Sequence, residues 1–138
     1  MSSKEALQED LKTVQAMEGN MRKKLKYVAS RIKSMETVTV CGVPAVNINR
    51  PSDTFNTAFG GDIGPESAES VYSYYAERKL PMAWWVGPSS ASEASSHALI
   101  EAGFDHDELD IGMVCKLEGV PDEYDLESDL SVVMCDSP

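Results

Sequence analysis

Cysteine is scarce in this chain of 138 residues, and the cysteines present fit neither a disulfide framework nor a zinc site. Cys41, Cys115 and Cys135 are odd in number, lie far apart and include no CxxC pair. Long hydrophobic runs are also lacking: no stretch approaches the roughly 20 apolar residues of a membrane span, and the N-terminus has no apolar signal-peptide core. These absences favour a cytoplasmic protein that is neither exported nor embedded in a membrane.

Basic residues are few as well, with 12 Lys and Arg against 23 Asp and Glu and a formal net charge of −11. A surface of this sign repels a polyphosphate backbone, so nucleic acid is not an expected partner. The charge is unevenly spread, because residues 101–138 hold twelve acids and one base, Lys116. Half of the bases lie close together in a second segment: Arg22, Lys23, Lys24, Lys26, Arg31 and Lys33. The basic and the acidic segment are either solvated separately or paired with each other, within one chain or between chains.

The first 36 residues have an amphipathic helical pattern. Apolar residues recur in steps of three and four from Leu7 to Met35, and Glu18 interrupts the register. The spacing predicts one long helix over about 4–35, or a helix pair that shares a face across Gly19-Asn20. The apolar face either packs on the chain's own sheet, which we favour, or forms a coiled-coil homodimer.

The next segment mixes strand and helix patterns. β-branched residues on both sides of Gly42 predict a hairpin, and the alternation of Phe55, Thr57 and Phe59 predicts a third short strand. A helix is expected from Pro65 to about residue 79. The strand after it, at 82–86, is apolar on both faces, so we expect it at the centre of the sheet.

A second helix and several strands are expected further along. Ser90 and Glu93 have the spacing of a capping box, which predicts a helix start. Gly103 suits the left-handed C-cap of that helix, with Phe104 behind it. The remaining expected strands cover 104–109, 111–117 and the alternating Leu130, Val132 and Met134.

These patterns predict an α/β (α+β) fold, in which helices flank a mixed sheet. Residues 1–36 are the helical segment, 37–121 form one domain, and 122–138 are expected to be a linker with the first strand of a further domain. This last expectation rests on Asp136-Ser137-Pro138, where an N-cap residue and a proline give a helix-start signal at the C-terminus. We therefore expect a C-terminal domain that is missing from this chain.

The run from Tyr74 to Pro88, with the tandem Trp84-Trp85 before Gly87-Pro88, resembles the N-terminal half of a group of two-domain N-acetyltransferases of the GNAT family. The resemblance covers about 38–121. It implies a GNAT-like order of strand, helix, central strand, helix and a closing pair of strands. The group also shares the Leu80-Pro81 turn, the Gly103-Phe104 helix exit with Gly112-Met113 after it, and an early hairpin like Val43-Pro44 with Asn47.

In the GNAT family, acetyl-CoA binds to an (Arg or Gln)-x-x-Gly-x-(Gly or Ala) loop at a helix N-terminus, where backbone amides hold the pyrophosphate. The corresponding loop here, Gly60-Gly61-Asp62-Ile63-Gly64-Pro65-Glu66, lacks the Arg or Gln. Pro65 has no N–H to donate, while Asp62 and Glu66 bring negative charge to the place of the anion. The resemblance therefore implies a degenerate cofactor loop. We expect acetyl-CoA to bind the complete protein and no cofactor to bind this chain.

The sequence offers no catalytic and no metal-ligating residue. The acidic runs at 105–110 and 125–130 fail the calcium-loop template because glycine is absent from the sixth position. His97 lies in a predicted helix and is expected to be an exposed helical side chain. Four aromatic residues are the candidate lining of a substrate cleft. Core packing is the favoured interpretation for the two tryptophans, and an accessible tryptophan would offer cation–π contact to an amine. The four residues are Tyr72, Tyr75, Trp84 and Trp85.

The resulting interpretation is the non-catalytic N-terminal domain of an enzyme that transfers acetyl from acetyl-CoA to an amine. This chain alone is expected to be inactive, and its expected partner is the missing C-terminal catalytic domain. The alternative is a GNAT-like dimerisation or protein-binding module without catalysis, whose interface is the helix at 4–35.

Overall fold

Seven helices and strands make up the computed structural model, which describes residues 3–115 and 117–119. The expected segment 122–138, with its strand around Leu130, lies outside the described residues. The elements in chain order are α1 (Ser3–Ala29), β1 (Glu36–Val40), β2 (Val43–Asn47), β3 (Thr57–Phe59), α2 (Pro65–Ala76), β4 (Ala83–Trp85) and α3 (Glu93–Ala102).

The strands form one mixed sheet in the order β1-β2-β3-β4. β2 is antiparallel to both β1 and β3, and β4 runs parallel to β3 after the crossover helix α2. Helix α2 covers one face of the sheet and α1 the other, while α3 packs against α2. The described part is therefore a mixed α and β fold, as the sequence predicts.

The two faces of the sheet follow from the alternation of its strands. Odd-numbered residues of β2, such as Val43 and Ala45, point towards α2 and form a core with Val71 and Tyr75 of that helix. On the opposite face, Val46 and the following Ile48 pack around Ala29 at the end of α1. The sheet is thus covered by one helix on each side.

The N-terminal segment is a single helix, because α1 passes through Gly19 and Asn20 without a break. The predicted end near residue 35 is wrong. α1 ends at Ala29, and two tighter turns follow, in which the amide of Arg31 donates to Val28 at 3.1 Å and that of Met35 to Ile32 at 2.9 Å. From this turn, Met35 packs against the cluster of Ala29, Val46 and Ile48. Met35 therefore continues the apolar spacing of α1 because it is partly buried, although it is not part of the helix.

The predicted hairpin is confirmed. Glu36 pairs with Asn47 and Val40 with Val43, which leaves only Cys41 and Gly42 to connect the strands. Both have positive φ, 47° for Cys41 and 79° for Gly42, as the two-residue turn that matches strand twist requires. Glycine adopts this conformation readily, whereas cysteine is strained in it.

Replacing Cys41 should change stability according to how well the new residue accepts positive φ. We expect Cys41→Asn to raise the free energy of unfolding by about 1 kcal/mol, and the β-branched Cys41→Val to lower it by a similar amount. Cys41 is exposed, so lost packing does not enter. Urea unfolding of the two variants checks this, and equal stabilities would show that the turn is unstrained.

The third strand is shorter than predicted. β3 contains Thr57 and Phe59, but Phe55 lies outside it with 52% of its surface exposed. Asn56 comes between them and is fully buried. Its side-chain oxygen accepts from the amide of Ile48 at 3.0 Å, and its side-chain nitrogen donates to the carbonyls of Arg50 at 2.8 Å and Pro81 at 3.0 Å. Asn56 therefore ties the loop after β2 to the start of β4.

Removal of the Asn56 side chain should be among the most destabilising single changes in the chain. Asn56→Ala leaves one buried donor and two acceptors without their partner, and we expect a loss of about 3 kcal/mol in the free energy of unfolding. The matched control is Asn20→Ala on the exposed side of α1, where we expect a change within about 0.5 kcal/mol. Thermal and urea unfolding measure both variants, and a loss below 1 kcal/mol for Asn56→Ala would contradict the role of this network.

Within the described residues, the Trp84-Trp85 strand does not lie at the centre of the sheet, where the sequence predicts it. β4 lies at one end of the described sheet and its residues are only partly buried. Residues 104–109 and the described part of 111–117 form no strand, so neither predicted strand pairs with β4 within the described ranges. The apolar character of β4 on both sides has another cause: Trp84 pairs with Ala58 on the α2 side, and Trp85 pairs with Phe59 on the α1 side.

Helix α3 begins two residues later than the capping-box pattern of Ser90 predicts. Ser92 is the N-cap, and its hydroxyl accepts from the amide of Ser95 at 3.0 Å, while the amide of Ser92 donates to the Ser95 hydroxyl at 2.8 Å. The predicted C-cap is confirmed, because Gly103 has a φ of 105° and the amide of Phe104 donates back to Leu99. The local pattern thus identified the helix and misplaced its first turn.

Candidate functional site

The loop between β3 and α2 is the place where the resemblance implies a cofactor site. Gly60 and Gly61 have φ of 47° and 89°, so the chain turns sharply at the end of β3. A β-carbon at Gly61 would lie 3.2 Å from a methyl group of Val43, which leaves little room for a side chain there. Gly64 is the N-cap of α2 and Pro65 its first residue. The loop therefore lies close against the sheet.

Two backbone amides of this loop, those of Gly60 and Gly64, are bound within the protein. The amide of Gly60 donates to the carbonyl of Trp85 at 2.9 Å, which continues the β3–β4 ladder by one residue. The amide of Gly64 donates to the Ser67 hydroxyl at 2.9 Å, and Pro65 has no amide hydrogen. Pyrophosphate binding at a helix N-terminus needs such amides to point at the anion. These three positions cannot provide them in this conformation.

The carbonyl groups of the loop are also held. Gly60 accepts from the indole nitrogen of Trp84 at 3.1 Å, and Gly61 accepts from the hydroxyl of Ser90 at 3.0 Å. The Ser67 hydroxyl donates to the carbonyl of Asp62 at 2.9 Å. Contacts from β4, from the loop before α3 and from α2 thus fix one short loop.

The charges beside the loop oppose an anion. Asp62 and Glu66 are both exposed at the N-terminus of α2. A carboxylate in the first turn already interacts with the positive end of the helix dipole, and it repels a second negative group. The hydrogen bonds of the loop and the charges beside it therefore both disfavour the binding of an anion.

The four aromatic residues of the candidate cleft do not all lie together. Tyr75 is 1% exposed, and its hydroxyl donates to the carbonyl of Val46 at 2.7 Å. Burial, assisted by neighbouring Tyr74, raises the pKa of Tyr75 well above the ordinary value of 10.0. Trp85 lies on the opposite face of the sheet from Trp84. Tyr75 and Trp85 therefore belong to separate surroundings, and Tyr75 serves the core.

Tyr72 and Trp84 are brought together by a third aromatic residue. Phe104 meets Tyr72 edge to face with ring centroids 5.4 Å apart, and meets Trp84 in the same way at 5.7 Å. Tyr72 is 41% exposed and so forms the accessible side of this cluster. The sequence pattern identified Phe104 only as the residue behind a helix cap, and its contact with Tyr72 depends on α3 packing against α2.

Glu18, which interrupts the apolar register of α1, has a specific partner. Its carboxylate accepts a hydrogen bond from the amide of Ser89 at 2.9 Å and lies against Gly87 in the same loop. This contact joins the middle of α1 to the C-terminal end of β4. A charged residue at an apolar position was the sequence signal for it.

The remaining candidates stay apart from any cluster. His97 pairs with Glu101 at 3.2 Å on the surface of α3. Within residues 3–115 and 117–119, no three His, Cys, Asp or Glu side chains lie close enough together to hold a metal ion. None of the helices in the same ranges combines the length and the apolarity needed to cross a membrane.

Neither a protein-family model nor a curated protein nor a solved structure matches this chain. The assignment of a function therefore depends on the residues and geometry described above.

The buried hydroxyl of Tyr75 should make stability fall at high pH. Because the folded state raises the pKa of Tyr75, the unfolded chain loses this proton first, so stability is retained below about pH 10 and decreases as pH rises further. Tyr75→Phe should cost about 1 kcal/mol at neutral pH through the lost hydrogen bond to Val46 and should weaken the alkaline decrease. Urea unfolding from about pH 8 to about pH 11 measures both effects.

The control for this comparison is Tyr27→Phe, because Tyr27 is 58% exposed on α1. We expect this variant to keep the alkaline decrease of the unchanged protein. A decrease of equal slope in Tyr75→Phe would show that other groups cause it.

Proposed function

We propose that this chain is the non-catalytic N-terminal domain of a two-domain N-acetyltransferase of the GNAT type. In this proposal a joined C-terminal domain binds acetyl-CoA and transfers the acetyl group to an amine. The observation that carries the proposal is the loop from Gly60 to Pro65, where the resemblance implies a cofactor loop: the amides of Gly60 and Gly64 and the carbonyls of Gly60 and Gly61 are bound by the protein itself, and Pro65 has no amide hydrogen.

The order of the described elements supports the family assignment. Three antiparallel strands are followed by a crossover helix, a strand parallel to the third, and a further helix. Strand, helix, strand and helix is the order that the resemblance implies for the chain up to Gly103, although it implies a central strand where β4 lies at one end of the described sheet. The loop after β3 stands where such an order places a phosphate at the N-terminus of a helix. A closed loop at this position fits a domain that kept the fold without the cofactor.

Exposed apolar residues support a domain that contacts another one. Leu109, Ile111 and Met113 alternate along the chain after α3, and between 84% and 87% of each residue's surface is exposed. Such side chains on one stretch of surface are typical of a contact region. We propose that this stretch faces the catalytic domain and that Tyr72 and Phe104 form one wall of the amine site.

A dimerisation module is the second candidate function. Leu7 is 69% exposed and Leu11 54%. Both belong to the apolar face of α1, and Leu25 on the same face packs against the sheet. A second copy of α1 would cover this overhanging part of the face. In this case sedimentation equilibrium gives a dimer, and Leu7→Ser together with Leu11→Ser gives a monomer with an unchanged fold. The acetyltransferase proposal requires no such dimer.

Calorimetric titration of acetyl-CoA distinguishes a closed cofactor loop from a working one. We expect no heat of binding with the 138-residue chain, and binding to a protein extended by a C-terminal domain. Binding to this chain alone, with protection of the amides of Gly61 and Ile63 in NMR spectra, would contradict the proposal. Failure of an extended protein to bind would contradict its acetyltransferase part.

A charge-matched pair of variants separates loop geometry from loop charge. Asp62→Asn with Glu66→Gln removes both acids beside the loop, and Asp53→Asn with Glu69→Gln removes two exposed acids elsewhere. Because the amides of Gly60 and Gly64 are already bound, we expect neither pair to create affinity for acetyl-CoA. Binding by the first pair alone would show that charge, and not closure, prevents cofactor binding.

A further inference from the structure

One part of this acidic protein carries a cluster of positive charge. Lys23, Lys26 and Arg31 line an open depression of about 410 Å³ between the end of α1 and β1. Arg22 and Lys26 also line the crevice where α1 meets the sheet. We call these four residues the basic surface. All four are exposed, in a chain whose net charge is −11.

Arg31 of the basic surface is held in place, and the surface is not neutralised by described neighbours. The guanidinium of Arg31 lies 3.4 Å from the centre of the Tyr27 ring and donates to the carbonyl of Tyr27 at 3.2 Å, which holds it at the rim of the depression. Within the described ranges, none of the four side chains forms a salt bridge. The surface therefore offers an unpaired positive field to a negatively charged segment.

A segment of opposite sign occurs in the same chain. Residues 120–138 contain no Lys, Arg or His. Gly112, which precedes this segment by eight residues, lies against the side chain of Met17 in α1. The segment is rich in carboxylates, which are Asp122, Glu123, Asp125, Glu127, Asp129 and Asp136.

The distance between the two is short. Met17 and Lys26 lie nine residues apart on α1, which is about 14 Å along a helix. Residue 120 follows Gly112 by eight residues, and an extended chain spans about 3.3 Å per residue. The chain between Gly112 and the acids is therefore long enough for them to reach the basic surface.

We propose that the basic surface binds the acidic segment 120–138 of the same chain. Tethering gives the segment an effective concentration in the millimolar range, so contact within a chain prevails over contact between copies at micromolar protein. Single exposed ion pairs are weak, but several charges on each side act together. In this proposal the part of the chain that follows α3 runs along α1.

NMR spectroscopy of the 15N-labelled chain tests the contact through its salt dependence. Raising the salt from about 0.01 M to about 1 M shortens the Debye length from about 30 Å to about 3 Å. We expect the amide signals of 120–138 to shift with salt in the unchanged protein. In Lys23→Glu with Lys26→Glu they should hold their high-salt positions throughout. Signals of the core residues Val43 and Ala58 report that the variant is folded.

The matched control is Lys12→Glu with Arg50→Glu, which makes the same change in net charge at exposed positions away from the depression. We expect its signals in 120–138 to follow the unchanged protein. Equal behaviour of the two double variants would overturn the proposal. A four-residue neutral segment, with Asp122→Asn, Glu123→Gln, Asp125→Asn and Glu127→Gln, should reproduce the loss with α1 unaltered.

Carbodiimide coupling, which joins a lysine amine to a nearby carboxylate, identifies the partners directly. We expect bonds from Lys23 and Lys26 to acids within 120–138. Mixing 14N and 15N chains before coupling distinguishes one chain from two, and we expect products of a single isotope. Products of mixed isotope only, or bonds only to Asp105, Asp107 or other acids before residue 120, would overturn the proposal.

Discussion

The parallel pairing of β3 with β4 is the contact on which the rest of the fold depends. The pairs Thr57–Ala83, Ala58–Trp84 and Phe59–Trp85 are extended at one end by the amide of Gly60 and at the other by the carbonyl of Asn56. This short ladder joins residues that are 26 apart in the chain and closes the crossover through α2. It also sends Trp84 and Trp85 to opposite faces of the sheet. The core around Tyr75 and the contact of Glu18 with Ser89 both depend on this position of β4.

The same pairing determines the conformation of the loop from Gly60 to Pro65. Because Gly60 donates to Trp85 and accepts from the indole of Trp84, the loop cannot open without breaking the end of the ladder. A buried or partly buried polar group that loses its partner costs roughly 1–3 kcal/mol, so the closed conformation is strongly favoured. The polar groups at the end of this ladder form hydrogen bonds within the protein and so contribute to its stability, and these groups are not free to bind a ligand.

Several features of the fold were predictable because they depend on neighbours in the sequence. The hairpin at Gly42, the start of α2 at Pro65 and the C-cap at Gly103 follow from turn and cap chemistry. The end of α1 was not predictable, since Met35 keeps the helical spacing although it is buried from a turn. The same holds for β4: two apolar faces indicate burial on both sides but give no information on how many strands lie beside it.

The sequence by itself determined the class of the fold, the faces of its strands and the acids beside the loop, because periodicity, turn residues and charge are local properties. Only the tertiary structure decided that the loop is closed and that the four aromatic residues are divided among different surroundings. The reason is that these outcomes depend on hydrogen bonds and ring contacts between distant residues: Trp84 reaches Gly60 over 24 positions, Ser90 reaches Gly61 over 29, and Tyr75 reaches Val46 over 29. Such contacts form only after α2 has brought β4 beside β3, and no local pattern specifies them.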